Sequence, residues 1–77
     1  MRPVLQLTPE RFDELKAFLT EHGFSFETRP HQVFLARKGM AVVNLYTNGK
    51  IVFGGSDSTL IEEVETFVKS LGAIPVE

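Results

Sequence analysis

The segment LYTNGKIVFGG, residues 45–55, constrains the fold of this chain most strongly, because it is typical of a β-hairpin with one very apolar arm. Its Asn48-Gly49 pair fits either a two-residue type I′ turn or a three-residue loop that ends in a glycine bulge. The two loops differ by one residue in strand register, and a shift of one residue exchanges the two faces of a strand. The choice of loop therefore decides which side chains of the sheet face the core.

A three-residue loop, residues 47–49, separates apolar from polar side chains better than a two-residue loop. With two residues, Tyr46 shares a face with Ile51, and both faces of the hairpin are mixed. With three residues, the core face takes Val43, Leu45, Ile51 and Phe53. The opposite face takes Val42, Asn44, Tyr46, Lys50, Val52 and Gly54. Because a half-buried sheet requires one consistently apolar face, we predict the three-residue loop.

A second hairpin is predicted around the segment ARKGM, residues 36–40. By the same rule its loop comprises residues 37–39, which sends Val33 and Leu35 to the core. The opposite face then gains Phe34, Ala36 and Met40. That face is too apolar for a simple solvent face, since monomers rarely expose a large contiguous apolar patch. We therefore expect a ligand or another subunit to cover it.

Two helices are predicted, one on each side of the strand-rich region. The first begins at Thr8, a hydroxyl N-cap that is followed by proline, and Gly23 is suited to end it. Thr59 and Glu62 fit a capping box that begins the second helix, and Gly72 ends it. The apolar stripe of the second helix comprises Leu60, Val64, Phe67, Val68 and Leu71.

The order of elements is β-α-β-β-β-β-α, with residues 4–7 as the first strand and AIPVE as a short tail. This order predicts an α+β fold with an antiparallel sheet of about five strands and both helices on one face. A chain of 77 residues is expected to form one small domain, residues 1–77.

Composition narrows the classes of function. The chain contains no cysteine, which excludes a disulfide framework, a thiol nucleophile and a cysteine zinc site. Neither His22 nor His31 lies in a pattern typical of a nucleophile or of a metal site. We therefore expect no catalytic residue, metal or cofactor. Because no apolar run reaches about 18 residues and no signal peptide is recognisable, we expect a cytoplasmic protein without membrane contact.

The net charge of −2 argues mildly against a nucleic-acid binder, since such proteins usually carry a basic excess. Glu62, Glu63 and Glu65 cluster on the predicted solvent face of the second helix. Much of the negative charge is therefore expected to lie away from the sheet.

The segment VVNLYTNGKIVFGGSDS, residues 42–58, resembles the glycine-lysine hairpin of the TATA-box-binding-protein fold. The segments FETRPHQVFLARK and FVKSLGAIPVE extend the likeness to nearly the whole chain, which is similar to the N-terminal domain of type III ribonucleases H. The resemblance implies one half-repeat of that fold, whose sheet contacts nucleic acid through apolar and amide side chains and aromatic wedges. The residues expected to make these contacts are Phe34, Val42, Asn44, Tyr46, Lys50 and Val52.

Two functions follow from this surface as hypotheses. The first is a non-enzymatic module that binds duplex DNA or RNA/DNA hybrid, as a homodimer because one half-repeat does not make a saddle. The second is a protein-interaction or self-assembly module whose apolar sheet face is covered by another subunit. In the second case Tyr46 is a cross-strand packing residue rather than a wedge, and Lys50 is a solvated hairpin residue.

Overall fold

The computed structural model describes residues 3–76 and has the α+β fold that the order of elements predicts. The strands are β1 (Val4–Gln6), β2 (Ser25–Glu27), β3 (Gln32–Lys38), β4 (Ala41–Tyr46), β5 (Lys50–Gly55) and β6 (Ile74–Val76). The helices are α1 (Phe12–Glu21), which a short 3-10 turn (Pro9–Arg11) precedes, and α2 (Ser58–Ser70). All neighbouring strands are antiparallel, in the order β2-β3-β4-β5-β1-β6.

Both helices pack on the same face of the sheet and enclose the core with it. The helices contribute Leu15, Leu19, Ile61, Val64 and Val68. The strands contribute Leu5, Phe34, Ala36, Ala41, Val43, Leu45 and Ile51. No polar or charged residue within residues 3–76 is buried. The opposite face of the sheet carries no helix, and we call it the open face.

The hairpin of β4 and β5 has the predicted three-residue loop. Gly49 has a φ of 90°, and its N–H donates to the Tyr46 carbonyl oxygen at 2.9 Å. Leu45 lies opposite Ile51, and Asn44 lies opposite Val52. The core and open faces of this hairpin are therefore those that the sequence predicts.

The hairpin of β3 and β4 differs from the prediction. Lys38 pairs with Ala41, so the turn consists of two residues, Gly39 and Met40, rather than of residues 37–39. A positive φ of 57° at Gly39, the first of the two, fits a type II′ turn. One residue less in the loop exchanges the faces of β3.

Phe34 is the main residue whose predicted position was wrong. It is 5% exposed and lies opposite Leu45 on the core face, together with Ala36. Its ring packs edge-to-face against Phe26 of β2, with ring centroids 5.1 Å apart. A register irregularity between Gln32 and Phe34 leaves Val33 41% exposed.

The segment after α2, predicted to be a short tail, forms the sixth strand. β6 pairs with β1 in a register that places Val76 opposite Val4 and Ile74 opposite Gln6. β1 also pairs with β5, where Leu5 lies opposite Ile51. The first strand is therefore interior to the sheet.

The helix N-termini also differ from the prediction. Thr8 makes no side-chain capping bond to the 3-10 turn that begins after it. Asp57, not Thr59, caps α2: its Oδ1 accepts a hydrogen bond from the Leu60 N–H at 3.1 Å. Neither helix of residues 3–76 is long and apolar enough to cross a membrane.

Replacing Phe34 by alanine is expected to lower the free energy of unfolding by about 3–5 kcal/mol, because it leaves a cavity beneath the helices. Replacing the exposed Val33 by alanine is expected to cost less than about 1 kcal/mol. Urea denaturation followed by circular dichroism measures both. A larger loss for Val33→Ala than for Phe34→Ala would contradict the observed register.

Replacing Gly49 by alanine is expected to destabilise the fold more than replacing Gly39 by alanine. A Cβ at Gly49 would lie 2.5 Å from the Leu7 carbonyl oxygen, whereas a Cβ at Gly39 would meet nothing within 4 Å. Both residues have positive φ, so both changes share a backbone cost of about 1–2 kcal/mol. The difference in stability between the two variants, measured by thermal unfolding, gives the steric part of the cost at Gly49. Equal losses of stability would contradict the close approach of Gly49 to β1.

Candidate nucleic-acid interface

The open face presents side chains from every strand of the sheet. Strand pairing and alternation assign to it Val4, Gln6, Ser25, Glu27, Gln32, Leu35, Arg37, Val42, Asn44, Tyr46, Lys50, Val52, Gly54, Ile74 and Val76. The central strands β4 and β5 carry the predicted positions Val42, Asn44, Tyr46, Lys50 and Val52. The structure therefore brings these residues together on one surface.

Phe34 is not part of this surface, because it is buried on the helix-covered face. Its predicted contact with nucleic acid is wrong for that reason. In exchange, the observed register brings Leu35 and Arg37 to the open face, opposite Asn44 and Val42. The exchange makes the open face less apolar than the sequence indicated.

Sequence reasoning missed Gln32, which lies opposite Tyr46 on the open face. Its Nε2 donates to the Asn44 Oδ1 at 3.3 Å, and the Asn44 Nδ2 donates to the Val52 carbonyl oxygen at 3.1 Å. The carbonyl oxygen can only accept, so it fixes the orientation of the Asn44 amide, which in turn fixes that of Gln32. Alternation along β3 would not have shown this residue even in the observed register, because the irregularity between Gln32 and Phe34 interrupts the alternation.

This amide chain leaves specific groups for a ligand. The Gln32 Oε1 is buried and has no hydrogen-bond partner within residues 3–76. Asn44 retains one N–H and one lone pair, because an amide group has two donors and two acceptor sites. The buried Gln32 Oε1 is out of reach of a ligand, so the groups of this row that remain for a ligand are those of Asn44.

Tyr46 and Lys50 flank a shallow depression on the open face. It has a volume of about 300 Å³ and is lined by Val4, Tyr46, Asn48, Lys50, Val52 and Val76. Tyr46 and Val52 are half-buried, and Lys50 is exposed. The depression thus combines an aromatic ring, aliphatic walls and a cation.

Charge on the sheet is mainly positive. In the strands that the structure describes, Glu27 is the one acidic residue, and it pairs with two cations. Its Oε1 lies 2.7 Å from the Arg29 Nη2, and its Oε2 lies 3.5 Å from the Arg37 Nη1. Lys50 adds a further positive charge near the β4–β5 loop.

Charge on the helices and their flanking residues is mainly negative. The acidic residues there are Glu10, Asp13, Glu14, Glu21, Asp57, Glu62, Glu63 and Glu65. Arg11 pairs with Glu14 at 2.7 Å, and Lys69 pairs with Glu65 at 3.2 Å. The hydrogen bond and charge of Glu14 raise the pKa of the Arg11 guanidinium. The net charge of −2 therefore combines an acidic helical side with a basic sheet.

The two histidines lie outside the open-face network. His22 stacks on Phe18 with ring centroids 4.0 Å apart, and its Nδ1 lies 2.9 Å from the Phe18 carbonyl oxygen. His31 occupies a turn with a φ of 63°, and its carbonyl oxygen accepts from the Thr47 N–H at 3.1 Å. Across residues 3–76, no group of three or more histidine or acidic side chains is arranged to hold a metal ion.

Comparison with known proteins finds matches to type III ribonucleases H. The chain is 33% identical over 66 residues to the ribonuclease HIII of Streptococcus agalactiae serotype Ia, a match of 86% of this chain and 22% of that protein. The crystal structure of Aquifex aeolicus RNase H3 superimposes with a TM-score of 0.73 at 19% identity. That match covers 86% of this chain and 26% of the other. The chain thus spans about a quarter or less of these relatives.

These matches confirm the resemblance to the N-terminal domain of type III ribonucleases H. The family described as "Domain of unknown function (DUF3378)" matches residues 2–70. Because this match includes nearly all of the elements described above, the chain belongs to that family.

Proposed function

We propose that residues 1–77 act as a non-enzymatic module that binds nucleic acid on the open face, with RNA/DNA hybrid or duplex DNA as the ligand. The observation that carries the proposal is the joint placement of an amide row, one tyrosine and basic side chains on the helix-free face. The similar protein from Streptococcus agalactiae is named a ribonuclease, which favours a duplex that contains RNA.

Each central residue has a role that its chemistry supports. Tyr46 offers a ring for stacking or for contact with a sugar, and such stacking tolerates any base. Asn44 and Gln32 present oriented amides, and Asn44 retains one N–H and one lone pair for a ligand, as for a ribose 2′-hydroxyl. Lys50 contacts a phosphate, while Val42 and Val52 pack against the sugars.

The separation of charge supports binding in one orientation. A polyanion is attracted to the basic sheet and repelled by the acidic helices. The proposed ligand therefore approaches the open face, although the net charge of the chain is negative.

The non-enzymatic role is supported by the composition of the open face. Its one acidic side chain within residues 3–76, Glu27, is engaged by two arginines. Cleavage by the similar ribonuclease is a property of a protein of which this chain matches 22%. We therefore assign binding, and not hydrolysis, to this segment.

Assembly with another protein through the open face is the second candidate. The observation in its favour is the set of half-buried or buried apolar residues there, Leu35, Val42 and Val52. The register of β3 counts against it, because Phe34 and Ala36 lie in the core while Gln32 and Arg37 face outward. A surface with oriented amides and basic side chains fits nucleic acid better than it fits an apolar subunit interface.

A homodimer on the duplex is part of the proposal. The fold measures 26 × 24 × 21 Å, and a duplex advances about 3.4 Å per base pair, so one open face covers about seven base pairs. Both edge strands, β2 and β6, have three residues, and β6 contains Pro75, which has no N–H. We therefore place the second copy beside the first on the duplex rather than on an extended strand edge.

Replacing Tyr46 by alanine is expected to weaken binding to RNA/DNA hybrid about tenfold, because one stacking contact is worth about 1–3 kcal/mol. Tyr46→Phe retains the ring and is the matched control, with an expected change of less than threefold. Fluorescence anisotropy with labelled hybrid, DNA and RNA duplexes at low salt measures the affinities, and circular dichroism checks the fold. Absence of binding by the unaltered protein to every duplex would remove the proposal.

A hybrid of 16 base pairs is expected to bind two copies of the chain, and a hybrid of eight base pairs is expected to bind one. The reason is the footprint of about seven base pairs per open face. Sedimentation equilibrium at saturating protein gives the mass of each complex. One copy on the longer duplex would contradict the homodimer while leaving binding by a single open face intact.

A further inference from the structure

We propose that the depression beside Lys50 is a subsite for one sugar–phosphate unit of the bound strand, and that β6 builds one wall of it. This inference rests on the proposed function and goes beyond it, because the matched family segment ends at residue 70 whereas β6 spans Ile74–Val76. The family match therefore does not include this wall. The pairing of β6 with β1 forms this wall, because it places Val76 beside Val4.

The walls of the depression are aliphatic. Val4 and Val76 lie opposite each other on β1 and β6, and Val52 lies on β5. All three are half-buried, so each presents part of its surface to a ligand. Aliphatic side chains pack against the C–H groups of a sugar ring, whereas they offer no hydrogen bond with which to read the edge of a base.

The rim of the depression is rich in hydrogen-bond donors. The Asn48 Oδ1 accepts the Lys50 backbone N–H at 3.1 Å, which leaves the Asn48 amide N–H groups as the free part of that side chain. Gln6 donates to the Asn48 backbone carbonyl oxygen at 2.6 Å and so holds the loop against β1. The Lys50 ammonium group adds three donors and a positive charge. Donors with a cation match the acceptor oxygens of a phosphate.

The position of the depression extends the proposed interface. Tyr46 lines it and also lies opposite Gln32, so the amide row and the depression share one aromatic ring. A strand that stacks on Tyr46 therefore brings its next sugar–phosphate unit to Lys50 and the valines. An isolated phosphate ion would use the donors but not the aliphatic walls.

Val76→Asp tests the subsite, since it places a carboxylate in the wall beside the expected phosphate. Thr66→Asp is the matched control: it adds the same charge at an exposed position of α2, on the helix-covered side of the sheet, and Thr66 does not line the depression. Anisotropy with a hybrid of eight base pairs is expected to show at least a tenfold loss for Val76→Asp and less than a threefold loss for Thr66→Asp. Equal losses, with Tyr46→Ala still impaired, would overturn the subsite and leave the proposed function standing.

Methyl NMR of the unaltered protein provides a second measurement that does not depend on the stability of a variant. Addition of the same hybrid is expected to shift the methyl signals of Val4 and Val76, and inorganic phosphate is expected to leave them unchanged. Unshifted methyls with bound hybrid would overturn the subsite, as would equal shifts with phosphate alone. A hybrid that does not bind at all would overturn both the subsite and the proposed function.

Discussion

The contact between the β4–β5 loop and β1 is the constraint on which the rest of the sheet depends. The Leu7 N–H donates to the Gly49 carbonyl oxygen at 2.9 Å, and Gly49 approaches β1 too closely for any side chain. This contact places β1 beside β5, and β6 then pairs with β1. The same glycine fixes the three-residue loop. Gly49 therefore sets the register of the β4–β5 hairpin and also places β1 beside β5.

The proposed binding surface follows from that register. Leu45 and Ile51 are directed to the helices, which leaves Asn44, Tyr46 and Lys50 on the side without helices. Acidic residues lie mostly on the helices, where they do not oppose a polyanion at the sheet. A chain with a small negative net charge can thus present a basic, amide-rich face. The net charge of the whole chain therefore describes neither of these two sides.

The second hairpin shows where reasoning from the sequence fails. ARKGM permits a loop of two or three residues, and the apolar pattern of β3 does not choose between them, since Val33, Phe34, Leu35 and Ala36 are consecutive apolar residues. In the structure the loop has two residues, which directs the Phe34 ring to the core, where it packs against Phe26 and lies opposite Leu45. These partners are distant in sequence, and a local rule does not include them. Gln32 was missed for the same reason, because its position depends on the irregularity beside Val33.

The sequence by itself determined the α+β class, the three-residue loop at Gly49 and the open-face positions of Val42, Asn44, Tyr46, Lys50 and Val52. Each of these follows from local backbone preference and from the alternation of side chains along one hairpin. Only the tertiary structure decided the faces of β3, the pairing of β6 with β1 and the amide row through Gln32. Those features depend on packing and hydrogen bonds between segments that are far apart in the chain. The residue pattern of a single segment therefore does not predict them.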